Sequence, residues 1–274
     1  MEMVTIKRAL LAGLAISLSA ALPLSAATMD DVLPIGWIGV GNAGSGTADG
    51  DVSAAPTPGG GYTYVSTADG LAGVGALAGV GGTGEPTNGS TLTTSVFAAA
   101  AGDALEFFFN FVTSDGAGYA DYAWAQLLDA TDTQVALLFT ARTTPGGSSV
   151  PGFSMPSPAA TLTPASVNII PNATNWSALG NDSGSCFDTG CGSTDWVQSL
   201  YTVASAGSYK LQFGVTNWSD TAYDTGMAVA GAKIGGVAID PVDPTPSPIP
   251  LPAAGWLMLA SLGGIAALRR TKAV

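Results

Sequence analysis

Two acids flanking a glycine turn, Asp115 and Asp121 in Asp-Gly-Ala-Gly-Tyr-Ala-Asp, are the first place in this chain where chemistry could sit. Carboxylates beside carbonyl-rich turns are hard oxygen ligands, so the segment is a candidate for one structural calcium ion. Asn181-Asp182-Ser183 and the pair Asp220 and Asp224 are lesser candidates of the same kind. None follows the twelve-residue loop of helix-loop-helix calcium sites, and ordinary surface turns are the plainer account of all three. No other cofactor is indicated.

The chain has no histidine. Ser-His-Asp and Cys-His catalysis and histidine metal sites are therefore unavailable, and general acid–base work near neutral pH loses its usual agent. A carboxylate pair such as Asp103 with Glu106, or Asp115 with Asp121, is what remains for hydrolysis. Sequence cannot place such a pair at glycosidase separation, and turn acids explain them more simply, so the expectation is a non-enzyme.

Cys186 and Cys191 are the only cysteines. In an exported chain so close a pair most simply forms a local disulfide, closing a loop over Phe187-Asp188-Thr189-Gly190 and contributing about 2 kcal/mol by loop-closure entropy. A zinc site would need two further good ligands.

Trp176, Trp196 and Trp218 lie in the loop-rich second half. An exposed indole stacks on the apolar face of a pyranose, which makes Trp176 and Trp218 candidates for carbohydrate binding; core packing is the competing account, and the better one for Trp124. Both candidates sit in Asn-Trp-Ser, a glycosylation-type match that reads as chance.

The two ends of the chain concern address rather than activity. Lys7 and Arg8 precede an apolar run from Ala9 to Leu22, then Pro23 and the small residues Ser25-Ala26-Ala27. That layout predicts a signal peptide over residues 1–27, removed on export; a retained helix would be short and would leave the small-residue exit unexplained. At the other end, Ile249-Pro250-Leu251-Pro252-Ala253 leads into an uncharged run from Ala253 to Leu268, followed by Arg269, Arg270 and Lys272. Sixteen residues of helix reach about 24 Å, short of a hydrocarbon core about 30 Å thick, so residues 253–268 predict a marginal transmembrane helix. The cations that follow would stay cytoplasmic and leave the rest of the chain outside the inner membrane. An unprocessed single-pass anchor, or a buried core helix, is the alternative; the basic terminus argues against the second.

This order of motif, apolar helix and basic tail resembles the PEP-CTERM class of exported bacterial proteins, in the variant that reads Val-Pro-Leu-Pro-Ala, with Ile249 in the place of valine. The resemblance implies sorting through the tail. An exosortase-type membrane protease would act near Pro250, Leu251, Pro252 and Ala253, converting an inner-membrane-anchored precursor to a cell-surface or secreted form. It covers about a tenth of the chain and implies no activity for the rest.

Between the targeting ends, residues 28–252 hold three cations against nineteen acids, a net charge of −16. Such a surface repels phosphate backbones, which excludes nucleic acid as a partner. Glycine, at 37 of 274 residues, is about twice its usual share, and no long 3.6-residue apolar period appears. Short strands joined by glycine, asparagine and aspartate turns follow, and the fold class is all-β.

Thr91–Ala98 and Ala104–Thr113 read as strands around a turn at 99–103. In the second, Leu105, Phe107, Phe109 and Phe111 fall on one face, while Phe108 and Val112 join Glu106 and Asn110 on the other, as in a sandwich strand whose outer side is covered by a loop. Tyr119–Asp129 and Thr133–Thr140 read as a hairpin, with a short helix over 119–128 as the alternative. Residues 143–164, carrying five prolines, read as a long surface loop. Leu200–Ala204 and Tyr209–Asn217 repeat the strand–turn–strand pattern, and a last strand lies within 226–239.

These strands resemble the jelly-roll ectodomains of other sorted surface proteins, some of them lectin-like. A jelly-roll-like β-sandwich is expected over 28–239, and a proline-rich stalk over 240–248. The reading is an exported surface or extracellular-matrix protein with a structural or adhesive sandwich; a carbohydrate-binding module for extracellular polysaccharide is the alternative, and a glycosidase comes third.

Overall fold

A computed structural model describes residues 33–239, together with the two-residue strand Met29–Asp30. The segments expected to be a signal peptide, a stalk and a sorting signal, including Pro250, Leu251, Pro252, Ala253, Arg269, Arg270 and Lys272, lie outside the described residues. Among the described residues no helix is long and apolar enough to cross a membrane.

Eight strands carry the two main sheets: β1 (Tyr62–Ser66), β2 (Pro86–Thr93), β3 (Ala104–Thr113), β4 (Tyr122–Asp129), β5 (Gln134–Arg142), β6 (Val197–Thr202), β7 (Gly207–Trp218) and β8 (Thr225–Ile234). One sheet runs β1-β8-β3-β6 and the other β5-β4-β7-β2, every pairing antiparallel. Apart from the β4–β5 hairpin, sequence neighbours are thus split between sheets, with the first and last strands side by side, which is the double Greek key of a jelly roll. Only two short 3-10 turns, Ala117–Tyr119 and Ser177–Asp182, interrupt the β structure among the described residues.

Strand alternation builds the core. Leu105, Phe107, Phe109 and Phe111 all point inward from β3 and are at most 1% exposed. They meet Ala125 and Leu127 of β4, Phe139 of β5 and Leu211, Phe213 and Val215 of β7 in one cluster. Phe109 stacks on Phe139 with ring centroids 3.8 Å apart, and Phe107 meets Phe213 edge-on at 5.4 Å. The β4–β5 hairpin puts Tyr122 and Trp124 on the face opposite Ala123, Ala125 and Leu127, as the alternation predicts.

Neither sheet is wet on its outside. Trp176, Ala178 and Leu179 cover β1, β3 and β8 through contacts with Tyr62, Tyr64, Val112 and Ala228. Leu77, Val80 and Met155 cover Tyr122, Trp124, Leu137 and Trp218 on the other sheet. The glycine-punctuated run at 71–80 is therefore a close-packed loop that buries β-sheet surface.

Two expectations need correction. The strand expected over 91–98 is two pieces, Pro86–Thr93 and Phe97–Ala99, because the Thr94 side chain takes the Leu211 N–H and breaks the ladder. The proline-rich stretch at 143–164 is not a free loop: Ser148–Val150 pairs with Val167–Asn168, Thr161–Thr163 pairs with β6, and Val150 and Leu162 enter the core.

Candidate functional site

At the end of the sandwich where β1, β3 and β7 finish and β4 and β8 begin, three connections meet: residues 114–121, 183–195 and 219–224. The disulfide Cys186–Cys191 closes the loop holding Phe187, as the cysteine spacing predicts. That loop is bonded to the Asp115 turn, since Phe187 N–H donates to Ser114 O and Ala117 N–H to Thr189 O, both at 2.9 Å. Gly116 is required at the contact: a Cβ there would lie 2.9 Å from Asp188 Cβ and 3.2 Å from Phe187 Cδ1.

The three connections enclose a shallow cleft of about 230 Å³, lined by Asp115, Tyr119, Phe187, Asp220, Ala222 and Tyr223. Tyr119 meets Phe187 edge-on, centroids 5.6 Å apart, and Phe187 meets Tyr223 at 5.0 Å with 49° between planes. Tyr119 is 43% exposed and Phe187 46%, so the rings form an open, bent wall. Tyr223 holds its place with a backbone φ of 62°, a left-handed conformation unusual for a bulky residue.

Acids lie behind the rings. Asp115 is 2% exposed; its Oδ1 accepts the Gly116 N–H at 2.6 Å, and no protein group donates to its buried Oδ2. Burial, opposed by that hydrogen bond and reinforced by Asp220 and Asp182, raises its carboxyl to about 7. Asp121 is 1% exposed, and both its oxygens are occupied: Oδ1 accepts Trp218 N–H at 2.8 Å and Oδ2 accepts the Thr225 hydroxyl at 2.7 Å. Its burial, with Asp115 nearby, pushes its carboxyl well above the usual range. Asp224 accepts the Thr67 hydroxyl at 2.9 Å and is raised to about 6, first by burial and then by Asp182.

The structure therefore brings Asp115 and Asp121 into one electrostatic neighbourhood but does not make them a calcium site. Each Asp121 oxygen already accepts a hydrogen bond from the protein, and among the described residues no group of three or more acids or cysteines is placed to hold a metal ion. The residues do not fit calcium.

The carbohydrate candidates also need correction. Trp176 is fully buried, its Nε1 donating to Tyr62 Oη at 3.0 Å; Trp218 is 5% exposed, its Nε1 donating to Thr83 O at 2.9 Å. Trp218 is closed over by the Arg142 guanidinium, 4.5 Å from its ring. Neither indole offers a face to a sugar. Room for Trp176 comes from Gly226 in β8, where a Cβ would lie 2.5 Å from the ring. Trp196, partly buried, packs on the same outer cluster and donates to Ser53.

The rings that are presented, Tyr119, Phe187 and Tyr223, were not singled out from sequence. Phe187 carried a signal: an aromatic residue inside a tight, otherwise polar disulfide loop has no core to enter.

No protein-family model matches this chain, and no curated protein matches it. Among solved structures, the K1 cleaved adhesin domain of Lys-gingipain from Porphyromonas gingivalis W83 is similar at 11% identity and a TM-score of 0.33, over 76% of this chain and 96% of that one. The enzymatically active domain of tailspike protein 4 from bacteriophage CBA120 is similar at 11% identity and a TM-score of 0.30, over 77% of this chain. The match spans 19% of that phage chain's length. At these scores neither likeness speaks to a ligand.

Proposed function

We propose that this is an exported surface protein whose non-catalytic β-sandwich makes contacts through the loop end around Phe187. The observation that carries this is an exposed aromatic wall pinned by a disulfide: apolar rings left in water on a braced loop are a contact surface, and the bridge belongs to an oxidising compartment outside the cytoplasm. The targeting ends of the sequence support the same address, with an inner-membrane precursor sorted by an exosortase-type protease near Pro250–Ala253 and delivered to the cell surface or matrix. The non-catalytic reading is supported by the lack of histidine, the usual agent of acid–base work near neutral pH.

The test is peptide mapping of the C-terminus of the cell-surface form, together with surface biotinylation of intact cells. A mature protein ending before Ala253 and labelled from outside is expected. A protein confined to the cytoplasm overturns the reading, and a surface form that retains Arg269-Arg270 overturns the processing step.

A carbohydrate-binding role is the second reading, transferred from the buried tryptophans to the Tyr119–Phe187–Tyr223 wall. A glycan array with the purified protein and a Phe187→Ala variant tests it.

A further inference from the structure

We propose that the cleft beside Phe187 binds an organic primary ammonium group, held between the aromatic wall and the carboxylates of Asp115 and Asp220. The proposal deepens the adhesive reading by naming the chemistry of the ligand, and it rests on that reading only for where the ligand is met.

Three observations converge. The walls are three aromatic rings set at 70° and 49° to their neighbours, so they face a small charged head from more than one side. Ring faces attract a cation through their quadrupole, and they are poor company for a hard, hydrated divalent ion. The floor is Asp115, buried, with Oδ2 lacking any protein donor, an arrangement that leaves an acceptor to be satisfied from outside. A primary ammonium brings both the donor and the charge; a quaternary ammonium brings only the charge.

The size of the cleft limits the ligand further. About 230 Å³ is below the usual range for drug-sized ligands, and it accommodates one charged head and a short stem. Because Oδ2 is covered, seating the head requires a small outward movement of the rim. Phe187 and Tyr119, nearly half exposed, are the rings free to make it. Asp220, half-buried at the mouth, guides the cation in. Arg142, the cation at this end of the sandwich among the described residues, does not compete for these acids, being engaged with Ala120 O and Gly81 O.

The experiment is an NMR titration of the mature protein at pH 8, where Asp115 is ionised, with n-butylammonium, using 1-butanol as the neutral isostere, tetramethylammonium as the quaternary cation and calcium chloride as the inorganic one. Millimolar binding of butylammonium is expected, with shifts concentrated at Gly116, Phe187 and Tyr223. Binding of 1-butanol and tetramethylammonium should be at least tenfold and threefold weaker. Asp115→Asn should weaken butylammonium at least tenfold, and Phe187→Ala, which removes the central ring of the wall, about fivefold. Glucosamine and lysine amide then distinguish a saccharide source of the amine from a peptide source, and binding of either supports the proposal. Equal binding of 1-butanol, displacement of butylammonium by millimolar calcium, or unchanged affinity in Asp115→Asn overturns it. Failure here leaves export and sorting untouched, because they are read on cells.

Discussion

Replacing Asp115 by asparagine should stabilise this protein above neutral pH. In the folded chain Asp115 keeps its proton up to about pH 7, whereas in the unfolded chain the proton leaves near the ordinary value of 3.8. Between those values the folded state holds more protons than the unfolded one, so stability falls as pH rises through the window and is lowest above it. Asp224, raised to about 6, and Asp121, also raised by burial, act in the same direction. The Asp115 shift corresponds to at most about 4 kcal/mol at 1.36 kcal/mol per unit; water at the cleft mouth screens part of it, leaving about 2 kcal/mol.

Asparagine keeps the acceptor for Gly116 N–H and removes the charge. For a domain of this size that difference is about 4–8 °C in Tm. Thermal melts followed by circular dichroism at pH 5 and pH 8 provide the assay. The wild type should melt lower at pH 8 than at pH 5, and Asp115→Asn should recover much of the loss. A variant that melts below the wild type at pH 8 would refute the account of Asp115 as a buried, poorly compensated acid.

Trp176→Ala should destabilise by about 3–5 kcal/mol, since it empties the cover over β1, β3 and β8 and strands Tyr62 Oη; urea denaturation measures it. Converting Cys186 and Cys191 to serine together should cost about 2 kcal/mol and weaken butylammonium binding as the Phe187 loop loosens, which calorimetry and the NMR titration report. Gly116→Ala, which forces the Asp188 and Phe187 contacts apart, should cost about 1–3 kcal/mol and broaden the Phe187 resonances. Millimolar calcium against chelator should leave Tm unchanged, and a rise with calcium would restore the metal reading.

Strand architecture was legible because period-two alternation survives in single segments. The Leu105–Phe111 series predicts its own inward face, and the apolar residues on its other face correctly foretell a covered sandwich. Trp176 misleads for the opposite reason. Its burial depends on a glycine fifty residues away, Gly226, whose missing side chain opens the space, and local pattern cannot see that pairing. The acids show both outcomes. Asp115 and Asp121 do converge, yet which one is spent depends on Trp218 N–H and Thr225 Oγ1 arriving from other strands. Phe187, Tyr119 and Tyr223 come from three separate connections, and only the jelly-roll crossings bring them together.

The last described residue, Ile239, donates its N–H to Ala232 O, seven residues along β8 from Thr225. At about 3.3 Å per residue that is about 23 Å from the end of the sandwich that holds the cleft. The chain thus departs well away from its aromatic mouth. On the proposed anchoring through the C-terminal segment, the attachment point and the proposed contact surface lie at opposite ends of the sandwich and do not obstruct one another.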